Sequence, residues 1–186
     1  MAPLVLNGSA NTIGGLAVGG ISSTKAIAAA AMPSESIIQV KSFTKTDPFT
    51  TTSTSLVDVT DLTISLTMTV ATNKVLVTVS LGMMGMVTAG QGCEVALMRG
   101  STLLALGDSA GSRTRVTAAL CGDVNHETSP GIITYLDTPG TGTHAYKIQM
   151  ATQDSGTATI NQRGDDADGA SYQRASSTIT VMEVVA

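Results

Sequence analysis

Residues 62–70 run Leu62-Thr63-Ile64-Ser65-Leu66-Thr67-Met68-Thr69-Val70, with an apolar side chain at every even position and a hydroxyl at every odd one. A period of two places alternate side chains on opposite faces of a pleated strand, one face dry and the other wet. After Ala71-Thr72-Asn73 the alternation resumes at Val75, Val77 and Val79, which predicts a hairpin across that turn. Outward from this stretch, further strands are expected at Ile37–Phe43, Thr51–Val59, Cys93–Arg99, Leu103–Leu106 and Thr114–Cys121. The series continues at Ile132–Asp137, Ala145–Thr152, Ala158–Asn161 and Thr178–Val185. Turn-forming residues separate nearly all of them: Gly90–Gly92, Arg99-Gly100-Ser101, Ser129-Pro130-Gly131, Pro139-Gly140, Ser155-Gly156 and Gly164–Gly169. Ten or so short strands with no long helical pattern predict an all-β fold, an antiparallel sandwich or barrel.

The last of these strands is unusual. Ile179, Val181 and Val185 share one face with Glu183, while Met182 and Val184 lie on the other. A strand apolar on both faces is expected to be central in a sandwich or buried at a subunit contact. Only 13% of the 186 residues are charged, so the same feature predicts a homo-oligomer, because large apolar patches are seldom left in water.

Composition narrows the function classes. The chain carries 28 Thr and 18 Ser, 3% aromatic residues, no Trp and a net charge of -4. Disordered chains combine low hydrophobicity with high net charge, which is the reverse of this composition. No general positive field exists to attract phosphates, which argues against a nucleic-acid partner. The hydroxyls fill the alternate strand positions, where small or β-branched polar side chains suit a half-wet surface.

The first 33 residues stand apart, with Gly14-Gly15, Gly19-Gly20, Ala28–Ala31 and a single charge at Lys25. So apolar a stretch without a core of its own reads as an arm that docks on other protein, dividing the chain into an arm, 1–33, and a head, 34–186. Within the arm, Ser23 or Thr24 is placed to cap a short helix from Lys25 to Met32, ended by Pro33. Met1–Ser23 contains no Lys or Arg, so the basic start of a secretory signal is absent. Ile13–Ile21 and Ala26–Met32 are each too short to span a bilayer, so membrane insertion is not expected. Cys93 and Cys121 allow at most one bridge and are expected to be reduced thiols.

The motifs that spell chemistry lack the context that chemistry needs. Gly107-Asp108-Ser109-Ala110-Gly111 matches the serine elbow of hydrolases, but no helix pattern follows it, and no spacing rule brings Asp123, Asp137, His126 or His144 to Ser109. In Gly164-Asp165-Asp166-Ala167-Asp168-Gly169, alignment to a calcium loop puts Gly164 and Ala175 where ligand oxygens are required. Arg163-Gly164-Asp165 is an adhesion tripeptide by spelling only. Gly14–Gly19 lacks the Lys of a phosphate loop, and Pro130 replaces the second His that would make His126-Glu127 a zinc helix. Asn7-Gly8-Ser9 spells a glycosylation site, but without a secretory signal it is expected to stay bare. Arg99, Arg113 and Arg115 form the densest basic cluster, suited to an anionic glycan, to a solvated face or to ion pairs between subunits. No catalytic, cofactor or metal residue is assigned, and the chain reads as a structural protein rather than an enzyme.

Several segments carry a family resemblance. Val40 to Leu66, with Lys45-Thr46-Asp47, Phe49-Thr50-Thr51-Thr52-Ser53 and Val57-Asp58-Val59-Thr60-Asp61-Leu62, resembles a repeated β module of bacteriophage tail-fibre and related virion proteins. Leu97–Thr102, Gly107–Arg115, Tyr146–Gln149 and Ser177–Glu183 agree with it in order. Leu4–Ser9 and Leu16–Gly20 look like the leader of phage fibre proteins, notably those of cyanobacterial and marine phages. The resemblance implies a virion component, assembled in the host cytoplasm, with a jelly-roll-like β-sandwich head that trimerises as tumour-necrosis-factor-like heads do. It implies that residues 1–33 anchor the protein to other virion proteins, and that the head assists attachment to host surface glycan. The long shaft of a full fibre is missing, which leaves a short tail or head fibre, or a capsid decoration protein that stabilises the shell. A chain beginning at Ser34 is expected to stay soluble and keep its β circular dichroism. Aggregation of that truncated chain would show that the arm belongs to the core.

Overall fold

The computed structural model describes residues 32–153 and 156–186, and every regular element among them is a strand. In chain order these are β1 (Ile37–Lys45), β2 (Phe49–Thr51), β3 (Val57–Thr67), β4 (Lys74–Met86), β5 (Gly92–Arg99) and β6 (Thr102–Leu104). They continue with β7 (Ala118–Cys121), β8 (Thr128–Asp137), β9 (Thr143–Thr152), β10 (Ala158–Ile160) and β11 (Ser177–Val184). One sheet runs β1-β11-β4-β8, with β10 and β2 added beside the Met84–Met86 end of β4. The other runs β3-β9-β5, with β6 and β7 sharing the far edge of β5. All pairings are antiparallel and the main ones nest: β5 with β7, β4 with β8, β3 with β9, β1 with β11. The chain is an all-β antiparallel sandwich, and this nesting is consistent with a jelly-roll path.

Alternation identifies the buried faces. Leu62 and Leu66 of β3 and Val75, Val77 and Val79 of β4 are all 0% exposed and belong to one core. They do not form the expected hairpin, because β3 pairs with β9 in one sheet and β4 with β11 and β8 in the other. Residues 68–73 cross between the sheets, so the two valine and leucine rows meet through the core instead of side by side. Periodicity specifies which face is dry but carries no information about which strand lies alongside.

Three further expectations are corrected by hydrogen bonding. Thr51–Val59 is two strands, because Thr51 Oγ1 accepts from Ser53 N at 3.1 Å and Ser53 Oγ donates to Ser55 O at 2.6 Å, turning the chain toward the other sheet. Thr114–Cys121 shortens to β7, because the Thr117 hydroxyl replaces a backbone rung, donating to Leu104 O and accepting from Leu97 N, each at 2.9 Å. Ser129-Pro130-Gly131 lies inside β8 and is no turn. That strand pairs only with β4, and a residue lacking an N–H is tolerated on an edge.

The last strand, β11, is central between β1 and β4, but its two faces differ. Ser177, Ile179, Val181 and Glu183 are fully buried, whereas Thr178, Thr180, Met182 and Val184 are half-buried on the outside. The strand buried on both faces is β5, from Gly92 to Met98.

The sandwich has two unlike ends. The chain enters where Glu35 N donates to Val185 O (2.8 Å) and Val185 N to Ser36 O (2.9 Å). Connections 68–73, 100–101 and 138–142 share this end and are short. Connections 46–48, 52–56, 87–91, 122–127 and 161–176 gather at the opposite end. The arm helix proposed for Lys25–Met32 lies outside the described residues but for Met32. Leu66→Ala is expected to lower stability by about 2–5 kcal/mol through loss of burial and the cavity left behind. Ser65→Ala, one position along on the wet face, is expected to change it by less than about 0.5 kcal/mol, both measured by urea unfolding.

Candidate interaction surfaces

Strand register lines up the outer face of the first sheet in rows. Val40, Met182, Leu76 and Leu136 stand side by side across β1, β11, β4 and β8. The next row is Ser42, Thr180, Thr78 and Thr134, and the one after it Thr44, Thr178, Ser80 and Ile132. Ser42 and Thr180 hydroxyls are 2.8 Å apart and Thr44 and Thr178 hydroxyls 2.9 Å apart, so the rows are internally hydrogen-bonded. None of these residues is charged. Ile132 is 77% exposed and Val40 56%, which leaves apolar surface open on a face able to donate and accept through hydroxyls.

Beside these rows Lys74 of β4 shares the outer face, in register with Val184, and several of the other charged groups are paired. Glu183, fully buried on β11, accepts from Thr69 N (3.0 Å), Thr69 Oγ1 (2.8 Å) and Asn73 Nδ2 (2.8 Å), and from Gln39 Nε2. Burial pushes its pKa up, but the hydrogen bonds from Gln39, Asn73 and Thr69 outweigh it, so the carboxyl titrates below its ordinary 4.5. Near the same end, Arg99 Nη1 reaches both oxygens of buried Asp137 at 2.7 Å, and Tyr146 Oη donates to Asp137 at 2.7 Å. Burial, together with the neighbouring Asp137, drives the Tyr146 hydroxyl well above its usual range. On the outer face of the second sheet, Lys147 Nζ and Gln149 Nε2 donate to Asp58 at 2.8 and 2.7 Å and hold its carboxyl below the usual value.

The arginine cluster is thereby divided. Arg99 turns inward and ties β5 to the end of β8 within one subunit, while Arg113 and Arg115 bond carbonyls of their own exposed loop, Ala110 O at 3.4 Å and Gly107 O at 2.7 Å. Ser109 is exposed on that loop, and of the acids and histidines downstream Asp137 is held by Arg99 and Tyr146, and His144 Nε2 lies 3.1 Å from Thr141 O. His126 sits with φ 61°, its Nδ1 against Gly164. Cys93 and Cys121 are both free. Gly92 pairs with Cys121 and Cys93 with Leu120, so the two thiols leave opposite faces of the sheet. Burial pushes the Cys93 thiol up to about 12.

The connection 161–176 closes the end opposite chain arrival. Asn161, with φ 64°, ties its base down by donating to Lys45 O (3.0 Å) and Asp47 O (3.1 Å) and accepting from Ser177 Oγ (2.7 Å). Two of its three acids are matched to arginines: Arg163 Nε is 3.1 Å from Asp165 Oδ1 and Arg174 Nη2 is 2.5 Å from Asp166 Oδ1. Arg163 also lies 5.1 Å from the centre of the Tyr172 ring. Among the described residues no group of three or more His, Cys, Asp or Glu is arranged to hold a metal, and no helix is long and apolar enough to cross a membrane.

Sequence reading missed Glu183, Asp137 and Tyr172 as organising residues. A signal was present for Glu183, an acid on an otherwise apolar strand face, because such a group must find donors when buried. Stability is expected to carry its signature. With the folded pKa depressed below the unfolded 4.5, the contribution of Glu183 is complete above pH 4.5 and disappears as pH falls through the folded pKa. Glu183→Gln is expected to be less stable by about 1–3 kcal/mol at neutral pH, with a difference that shrinks in acid; urea midpoints across pH 2–7 measure it.

No protein-family model matches the chain, and no curated protein matches it significantly.

Proposed function

We propose that the chain is a bacteriophage virion structural protein, a short homotrimeric tail or head fibre anchored through residues 1–33 and assisting attachment to the host surface. The observation that carries this reading is the polarity of the sandwich. Its chain arrives at one end among short turns, and the longest of the described connections, 161–176, is built at the other. An anchored element needs this separation, since the end fastened to the particle and the end presented outward must differ. Recognition also tends to reside on loops held by a rigid scaffold. Trimerisation is supported by the three uncharged rows on the outer face of the first sheet, which combine an apolar row with hydroxyl rows that can pair with copies of themselves. The jelly-roll-like strand order and the segments that resemble phage fibre modules point the same way.

Virions lacking the protein are expected to adsorb poorly to their host while keeping intact shells. Normal adsorption with less stable shells would replace the fibre by a capsid decoration protein. For the trimer, Thr78→Lys places a charge at the centre of the three uncharged rows and is expected to shift sedimentation at micromolar concentration from trimer to monomer. Thr63→Lys, on the other sheet, is expected to leave the trimer intact. A monomeric wild-type protein would overturn the assembly model.

A further inference from the structure

Three strands of the sandwich have long free edges: β1 with nine residues, β3 with eleven and β8 with ten. A free edge offers unpaired N–H and C=O groups to any passing strand, so it is normally blunted by charge, brevity or cover. β1 and β3 blunt each other across the seam of the sandwich. Lys41 Nζ donates to Ser65 O at 3.0 Å and Gln39 Nε2 to Thr67 O at 2.8 Å, so side chains of β1 cap carbonyls of β3. β2, β6 and β7 are three or four residues long, too short to recruit a partner. β8 has no such guard. Pro130 interrupts its start, and its one charge, Asp137, is buried against Arg99 and Tyr146. Among the described residues, the backbone of 131–137 is bonded by no element but β4. Ile132 is 77% and Leu136 49% exposed beside that edge.

Contacts in a closed trimer join unlike surfaces, so β8 of one subunit does not meet β8 of the next. Resting on the trimer of the fibre reading, we infer that the free edge of β8 takes a strand from the arm of a neighbouring subunit, residues Ile13–Ile21. That stretch, Ile13-Gly14-Gly15-Leu16-Ala17-Val18-Gly19-Gly20-Ile21, carries no charge, nor does 131–136, and its glycines let backbones approach closely. The entry point fixes the direction. β8 runs toward the end where Glu35 and Ser36 join the sandwich, so an arm folding back from there runs the same way and the pair is parallel. Reach is ample: residues 22–31 extend to about 33 Å, against about 14 Å from β1 to β8 across the sheet and about 10 Å between packed sheets. A path to the same subunit's β8 crosses the Val40-Met182-Leu76-Leu136 row, which the trimer covers, so the donor is the neighbour. Residues 1–12 remain for the particle.

The test uses the full-length protein with Cys121→Ser, which removes the exposed thiol, and with Val18→Cys and Ile132→Cys joined by bismaleimidohexane, whose flexible spacer tolerates any register. Covalent dimers and trimers on denaturing gels are expected. Val18→Cys with Ser65→Cys, at the capped edge of β3, should give monomers. Hydrogen exchange reads the same contact without altering the head. Val18→Pro, which removes a donor from the arm, should speed deuterium uptake at the β8 amides that do not face β4 about tenfold or more, while 177–184 keeps its wild-type rate. Crosslinks confined within single chains, no crosslink, or unchanged exchange in Val18→Pro overturns the inference. Sedimentation at micromolar concentration separates this from the broader reading. If the wild type is a trimer and the crosslink fails, the strand exchange is wrong and the trimer stands. If the wild type is a monomer, the trimer reading itself falls and takes the inference with it.

Discussion

A single buried carboxylate joins the parts of this sandwich that local sequence would leave apart. Glu183 lies on the central strand of one sheet and accepts hydrogen bonds from the backbone and side chain of Thr69, and from Asn73, in the crossover out of the other sheet. Besides that acceptor, the crossover is tied to the rest of the sandwich by Met68 N donating to Gly142 O (2.9 Å) and by the Met68 side chain in the core. Desolvating a charge is expensive, and only several donors together offset it. Several converge here, and the arrangement sets how the two sheets face one another at the end where the chain arrives.

Charge is distributed by location more than by amount. Four strands present three rows of hydroxyl and apolar side chains with no charge among them, while the connection 161–176 braces two of its three aspartates against its two arginines. Exposed ion pairs of this kind add little stability. Their value is positional, because they hold a polar surface in one shape. The three uncharged rows account for part of the low overall charge of the chain.

Much of the fold was legible in the sequence. Strands β1, β9 and β11 fall where alternation puts them, because a half-buried strand must alternate, while β5 and β10, buried on both faces, are marked by their apolar residues and the turns around them. The failures share a physical origin. Thr51–Val59 and Thr114–Cys121 look continuous, yet the Ser53 hydroxyl bonds the backbone just after β2 ends at Thr51, and the Thr117 hydroxyl bonds it just before β7 begins at Ala118. Pro130 looks like a turn, yet it lies on an edge where its missing N–H costs nothing. The arginine cluster looked like one surface, but Arg99 turns inward to Asp137 while Arg113 and Arg115 stay outside. Neighbours in sequence on a strand point to opposite faces, so spacing alone could not separate them.

The sequence by itself determined that this is a β protein, which face of each strand is dry, and that its hydroxyls belong on half-wet surfaces. These follow from local alternation and composition, which act over a few residues. Only the tertiary structure decided that β3 and β4 oppose each other across the core, that four strands align their uncharged residues into rows, and that Tyr172 stands at the end far from where the chain arrives. Those facts depend on pairings between residues as distant as Val40 and Met182, and the cost of closing such long loops is met only when the whole sandwich forms.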